Sequence, residues 1–346
     1  MIAFLKNNIS LLVDMLIGIA ICLVFFNKVY PLPAAASSNA QQKIAETSSP
    51  NAFLRKFLVP QTDSQWKTAI EKLDSARDFD LDELTQRLNI TISNESINGV
   101  SVHRITPADT SPATNALFLY IHGGAYILGG GIQGVVEGAL ISSLTGIETI
   151  SIDYRMPPEH PFPAAIDDIE VVYRELLKTK PNTKFGIGGT SAGGGLSAGS
   201  IHNFKTKGLP LPNALYLGTP WTDVTKTSDT LYTLEGIDQV LVTYDGFLEA
   251  AALLYANEED LKHPFISPVY GDASQFPPTY LVSGTRDLLL SDTVRMHRNL
   301  RQAGVEADLN VYEGLSHAQY AFFYESPESK QHYSELTAFL LKNLTQ

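Results

Sequence analysis

The chain contains a single cysteine, Cys22, among its 346 residues. One cysteine excludes an internal disulfide and any zinc site that needs several thiolates. Basic residues are also few, because 25 lysines and arginines stand against 37 acidic residues and the formal net charge is −12. No basic run interleaves with aromatic residues, so binding to nucleic acid is not expected. The eight histidines are scattered without metal-ligand spacing, and we expect neither a metal nor a cofactor.

Long apolar runs are equally scarce, and one at residues 9–26 stands out near the N-terminus, broken only by Asp14. Its length lies between that of a signal-peptide core and that of a full membrane span. The small residues from Pro31 to Ser37 resemble a signal-peptidase site. We therefore predict that residues 1–36 direct export to the periplasm or the exterior, with cleavage near Ala36. The alternative is a membrane anchor formed by residues 9–26.

The remainder of the chain predicts one large domain. Residues 37–60 are small and polar, which predicts a linker, and residues 61–346 suffice for a single α/β domain. Helix patterns at 61–88 and 225–262 predict two pieces of a helical cap over the site. Strand patterns alternate with helices in the later part, which predicts a mainly parallel eight-stranded sheet flanked by helices. The predicted strands are Thr91–Ser93, Val100–Ile105, Ala116–Ile121, Glu148–Asp153, Lys184–Gly188, Ala214–Gly218, Thr279–Ser283 and Ala307–Tyr312.

Ser191 lies in the run Gly-Thr-Ser-Ala-Gly at residues 189–193, between a strand pattern and a helix pattern. A serine at a sharp strand-to-helix turn is presented at the end of a sheet, and the helix N-terminus behind it favours negative charge. The small residues at both ends of the run give the neighbouring backbone room. This context indicates a nucleophile.

A glycine-containing loop follows the buried strand pattern Ala116–Ile121. It begins with His122, Gly123, Gly124 and Ala125. Backbone N–H groups exposed there, together with that of Ala192, are suited to bind the oxyanion that forms when a serine attacks a carbonyl. A plain tight turn is the other interpretation of two adjacent glycines.

An acid and a histidine follow the last two strand patterns. Asp287 comes shortly after Thr279–Ser283, and His317 comes shortly after Ala307–Tyr312. The carboxyl ends of parallel strands lie at one edge of a sheet, so both side chains are expected to meet Ser191 there. The chain order serine, aspartate, histidine is that of a catalytic triad on an α/β-hydrolase sheet.

These motifs resemble the hormone-sensitive-lipase-like branch of the α/β-hydrolases, in particular its GTSAG-type bacterial esterases and lactone hydrolases. The resemblance covers about residue 90 to the C-terminus and includes the segment Asp-Tyr-Arg-Met-Pro-Pro-Glu-His-Pro-Phe-Pro-Ala at 153–164. It implies an α/β-hydrolase fold with a helical cap and no cofactor. One departure is Ala125, where the family usually has a third glycine. Alanine still offers an N–H but adopts positive φ less easily.

The resemblance implies a serine hydrolase that cleaves carboxylic esters of short to medium acyl chain, or lactones, through an acyl-enzyme. Ser191, Asp287 and His317 are the expected catalytic residues. Gly124, Ala125 and Ala192 are the expected oxyanion donors, with Gly123 and His122 supporting the loop. Two alternatives remain open: a non-catalytic ligand-binding protein on the same fold, and an amide or peptide hydrolase. The expected partner is a small ester or lactone.

Three further polar residues are predicted to have supporting roles. Asp292, five residues after Asp287, is expected to cap a helix or form a pair at the surface. Arg155 and Glu159 are expected to form a buried pair near the glycine loop.

Overall fold

The computed structural model describes residues 31–47, 56–57, 59–76, 79–110 and 115–345. The apolar run at 9–26, with Asp14 and Cys22, lies outside the described residues. Within the described ranges no helix is both long enough and apolar enough to span a bilayer. The signal peptide or anchor therefore stays a prediction.

An eight-stranded sheet forms the centre of the described part of the chain. Its strands are β1 Ile90–Ile97, β2 Val100–Pro107, β3 Ala116–Ile121, β4 Glu148–Ile152, β5 Lys184–Thr190, β6 Ala214–Gly218, β7 Thr279–Gly284 and β8 Ala307–Tyr312. Their spatial order is β1-β2-β4-β3-β5-β6-β7-β8. β2 pairs antiparallel with β1 and β4, whereas all the other pairs are parallel. The predicted α/β fold with a mainly parallel sheet is confirmed.

The first strand is longer than the predicted Thr91–Ser93. It forms a hairpin with β2 through Asn98 and Gly99, whose φ angles of 48° and 91° are typical of a tight hairpin turn. Most of its side chains are exposed or half-buried because β1 is an edge strand. Polar residues at an edge weaken the alternating pattern from which a strand is predicted.

The helices cover both faces of the sheet. They are α1 Ser38–Glu46, α2 Asp63–Ser75, α3 Leu81–Leu88, α4 Val136–Thr145, α5 Ala164–Thr179, α6 Ala192–Thr206, α7 Thr230–Thr233, α8 Phe247–Ala256, α9 Leu290–Gln302, α10 Gln319–Phe322 and α11 Pro327–Thr345. Alternate residues of β3 enter two separate hydrophobic clusters. Leu119 packs in the cluster that contains α6, and Phe118 packs in the cluster that contains α11.

The N-terminal part of the predicted linker is a helix, so that prediction is wrong for α1. Ser37 caps the helix by accepting the N–H of Ala40, and Ala40 and Ile44 are buried. The N–H and the hydroxyl of Ser37 also donate to the carboxylate of Glu328 at the start of α11, at 2.7 and 2.8 Å. Two apolar residues four positions apart lie on one face of a helix and suffice to pack a short helix against the domain. The polar residues around them hide this pattern in the sequence.

Candidate active site

Ser191 lies at a strained turn between β5 and α6. Its φ and ψ are 62° and −124°, and its N–H donates to the carbonyl of Gly218 at 2.8 Å. A Cβ added at Gly189 or Gly193 would approach the carbonyl oxygen of Ile121 to 1.9 or 2.0 Å. Only glycine fits at these two positions, which explains why the run has a glycine at each end. The turn places Ser191 at the carboxyl edge of the sheet.

Asp287 and His317 lie in contact beside the end of β6. Nδ1 of His317 lies 3.0 Å from Oδ1 of Asp287, and both side chains are buried. Asp287 is held by the hydroxyl of Ser283 at 2.8 Å and by the N–H of Leu289 at 2.8 Å. Thr219, which follows β6, also donates its hydroxyl to Asp287. These donors keep the carboxylate fixed in one orientation.

The charge of Asp287 governs the protonation of His317. Burial alone would lower the pKa of the imidazole because it disfavours the charged form. The charge of Asp287, its hydrogen bond and the charge of Asp238 outweigh burial, so the pKa of His317 is raised above its ordinary value. A histidine of raised pKa is a stronger base once it has lost its proton.

Ser191 and His317 line one cavity of about 670 Å³. Its walls are mainly apolar and come from both predicted cap segments. Leu73 and Leu84 belong to the first segment, and Leu241 and Phe247 belong to the second. Such a cavity suits a small apolar molecule that presents one polar group to Ser191.

The glycine loop passes directly alongside Ser191. A Cβ at Gly123 would lie 2.6 Å from the carbonyl of Thr190 and 3.2 Å from Cβ of Ser191. Gly124 and Ala125 also line the cavity, with φ angles of 123° and 54°. Ala125 therefore adopts the positive φ that a third glycine would take more easily, at a cost of roughly 1–2 kcal/mol.

His122 contacts both this loop and Tyr154. Its Nδ1 lies 2.9 Å from the carbonyl oxygen of Gly123, and its ring stacks on Tyr154 with centroids 4.2 Å apart. The hydroxyl of Tyr154 donates to the carbonyl of His122 at 2.9 Å. Both contacts fix the backbone from which the loop begins.

A buried glutamate beneath Ser191 was missed by the sequence analysis. Glu137 accepts hydrogen bonds from Thr190, the residue before Ser191, at 2.9 Å, and from Tyr216 and Tyr120 at 2.8 Å each. Burial raises the pKa of Glu137, although these hydrogen bonds oppose the shift. The only available signal was an acidic residue in an otherwise apolar helix pattern, and it did not indicate these partners.

Two expectations about supporting residues are wrong. Asp292 is fully buried and accepts the N–H of Asp223 at 2.9 Å, so it does not lie at the surface. Arg155 binds Asp168 at 2.8 Å, whereas Glu159 forms an exposed pair with Lys67. Sequence proximity suggested the pair with Glu159, but α5 brings a closer carboxylate to the guanidinium. Among the described residues no group of acids, histidines and cysteines is placed to hold a metal ion.

The comparisons with known proteins agree with the α/β-hydrolase fold. Residues 118–321 match a family model described as an alpha/beta hydrolase fold. An esterase of Acinetobacter venetianus is 32% identical over 233 residues, covering 66% of this chain and 75% of that protein. An acetyl-hydrolase of Streptomyces hygroscopicus is 30% identical over 223 residues, covering 64% and 74%. The crystal structure of an esterase named E25 shares 46% identity and a TM-score of 0.86, covering 92% of this chain and 97% of that one.

The chain belongs to the α/β-hydrolase fold family, in its hormone-sensitive-lipase-like branch. The similar proteins are esterases and acetyl-hydrolases, and they support carboxylic ester hydrolysis as the activity of this chain.

Proposed function

We propose that this protein hydrolyses carboxylic esters of short to medium acyl chain, or lactones, through an acyl-enzyme on Ser191. The observation that carries the proposal is the cavity that Ser191 shares with His317, whose Nδ1 lies 3.0 Å from Asp287. A serine hydroxyl is a weak nucleophile unless an adjacent base removes its proton. The turn between β5 and α6 presents the serine, and the buried Asp287 orients the histidine.

In the proposed first step His317 accepts the Ser191 proton through Nε2 while Oγ attacks the ester carbonyl carbon. Asp287 holds the Nδ1–H tautomer and stabilises the imidazolium. His317 then gives this proton to the departing alkoxide, and the alcohol leaves. In the second step His317 takes a proton from water, the hydroxyl attacks the acyl carbon, and Ser191 regains its proton as the carboxylic acid is released.

The tetrahedral intermediate of each step carries a negative oxygen. The N–H groups of Gly124, Ala125 and Ala192 are the proposed donors to that oxygen, because the loop and the helix N-terminus both border Ser191. Each such donor is worth roughly 3 kcal/mol of barrier in serine hydrolases. Gly123 has no side chain and so lets the loop pass close to Ser191.

The proposed substrate is small and largely apolar because the cavity walls are apolar. The similarity to an acetyl-hydrolase favours a short acyl group. A lactone is cleaved by the same acyl transfer, except that the leaving alcohol stays attached to the acyl group. The cavity has room for both.

The test compares the wild type with Ser191→Ala on esters from acetyl to palmitoyl and on one medium-ring lactone. We expect turnover of the shorter esters and a loss of at least about 10³-fold in the mutant, since the nucleophile is removed. Circular dichroism should show the same fold in both proteins.

Ser334→Ala is the matched control, because Ser334 is an exposed serine of α11. It should retain wild-type turnover. Hydrolysis that survives in Ser191→Ala would refute the assignment of the nucleophile. A folded wild type without turnover on any ester, lactone or amide would favour a binding role.

A further inference from the structure

A short turn between α7 and α8 contacts the loop of the catalytic acid. Asp238 in this turn is fully buried. Its Oδ2 accepts the N–H of Leu288 at 2.9 Å, and Leu288 directly follows Asp287. Its Oδ1 accepts the N–H groups of Val240 and Leu241 at 2.8 and 3.0 Å. One carboxylate therefore joins the backbone beside Asp287 to the turn itself.

The next residue of the turn contacts the loop of the catalytic base. The N–H of Gln239 donates to the hydroxyl of Ser316 at 3.1 Å, and Ser316 directly precedes His317. The side-chain oxygen of Gln239 accepts from Gln319 at 3.2 Å, and Gln319 in turn accepts the N–H of Ser316 at 2.8 Å. Asp238 and Gln239 thus hold the residues adjacent to both members of the acid–base pair.

The same turn also forms part of the substrate cavity. Val240 and Leu241, whose N–H groups bind Asp238, line the cavity that contains Ser191. A substrate that contacts this wall therefore touches a segment that is hydrogen-bonded to the loops of both Asp287 and His317.

We propose that Asp238 and Gln239 are positioning residues, which fix the loops of Asp287 and His317 and connect them to the cap wall of the cavity. This inference rests on the proposed function, since it assigns roles in the same reaction. Neither side chain is proposed to touch the substrate.

Asp238 also acts on His317 through its charge. Burial and the charge of Asp287 raise the pKa of Asp238 to about 6, while His317 and the backbone N–H groups oppose that rise. In turn, the charge of Asp238 raises the pKa of His317. Asp287 and His317 are the ionisable groups that act on Asp238 from the neighbouring loops. Glu235, earlier in the turn, pairs with Lys56 instead.

The experiment measures kcat and KM from pH 5 to 9 for the wild type, Asp238→Asn and Ser316→Ala. Asp238→Asn removes the charge and one acceptor. We expect kcat about tenfold lower and an acidic limb of kcat/KM shifted at least about 0.5 pH unit to lower pH. Ser316→Ala removes only the acceptor of the Gln239 N–H. It should lower kcat several-fold and leave the pH profile unshifted.

Asp229→Asn is the control, because Asp229 is an exposed acid of the same cap segment. It should match the wild type. Wild-type kcat, KM and pH profile in both test variants would overturn the proposal, even if their melting temperatures fell. Should Asp238→Asn not fold, Ser316→Ala alone tests the proposal, and an unchanged kcat in that variant would overturn the positioning role of Gln239. Wild-type protein without Ser191-dependent hydrolysis would instead refute the proposed function.

Discussion

Ala125 lies where the resemblance to the family leads one to expect a third glycine. It adopts a φ of 54°, next to Gly124 at 123°. The N–H that the proposed oxyanion site needs is present with either alanine or glycine. Only the conformational cost differs between the two residues.

We expect Ala125→Gly to retain wild-type kcat and to leave the unfolding free energy unchanged or raised by up to about 1 kcal/mol. Gly124→Ala is the opposite case, because its Cβ would lie 2.2 Å from the carbonyl oxygen of Leu128. That variant should lose kcat by at least about tenfold. Ester kinetics and urea unfolding of both variants test the pair. A fully active Gly124→Ala would show that the loop does not form the oxyanion site.

Ser191, Asp287 and His317 could be predicted from the sequence because each follows a strand pattern of apolar residues. Thr219, Glu137 and Asp238 were missed for a common reason. Each makes a hydrogen bond to a residue 50 or more positions away, as between Asp238 and Leu288 or Glu137 and Thr190. The spacing of residues in the nearby sequence does not predict such a contact.

At the scale of elements, the buried start of α9 makes stability depend on pH. Burial raises the pKa of Asp292 to about 8, against 3.8 in the unfolded chain. Between about pH 4 and pH 8 the folded state therefore holds a proton that the unfolded state releases. The contribution of Asp292 to the unfolding free energy falls as the pH rises through this range.

Asp292→Asn should weaken this dependence, because the carboxamide does not titrate. Urea unfolding at pH 5.5 and 7.5 measures the pH dependence. We expect the difference in unfolding free energy between pH 5.5 and pH 7.5 to change by about 2 kcal/mol from the wild type to Asp292→Asn. Asp229→Asn, an exposed acid, serves as the control. An identical pH dependence in wild type and Asp292→Asn would contradict the raised pKa.

Elements differ in how well the sequence predicts them. The central strands were predicted within a few residues because they are apolar at nearly every position. The edge strand β1 was missed in part because its exposed polar residues weaken the alternating pattern. The helix α1 was missed because its burial depends on contacts with the C-terminal helix α11, which is distant in sequence. Ile44 and Ala40 gain their burial only from packing against the body of the domain.

For the whole molecule, the proposed base His317 predicts the pH range of activity. His317 must be unprotonated to act as a base, and its pKa is raised by Asp287 despite burial. We expect kcat/KM to fall as the pH is lowered through this pKa, with a midpoint above 6.5. Initial rates on a neutral ester from pH 5 to 9 test this, with unfolding monitored at each pH. A rate undiminished at pH 5 would exclude His317 as the base.

If residues 1–36 direct export as predicted, the contact between Ser37 and Glu328 bears on the order in which cleavage and docking take place. Proteolysis favours exposed, flexible chain, yet Ala36 is buried and Ser37 is bound to Glu328. The predicted cleavage near Ala36 would therefore have to precede docking of this end. Cleavage immediately after Ala36 would convert the Ser37 amide nitrogen, 2.7 Å from a Glu328 oxygen, into an ammonium group. Maturation would then replace an amide hydrogen bond with a salt bridge that fastens the new chain end.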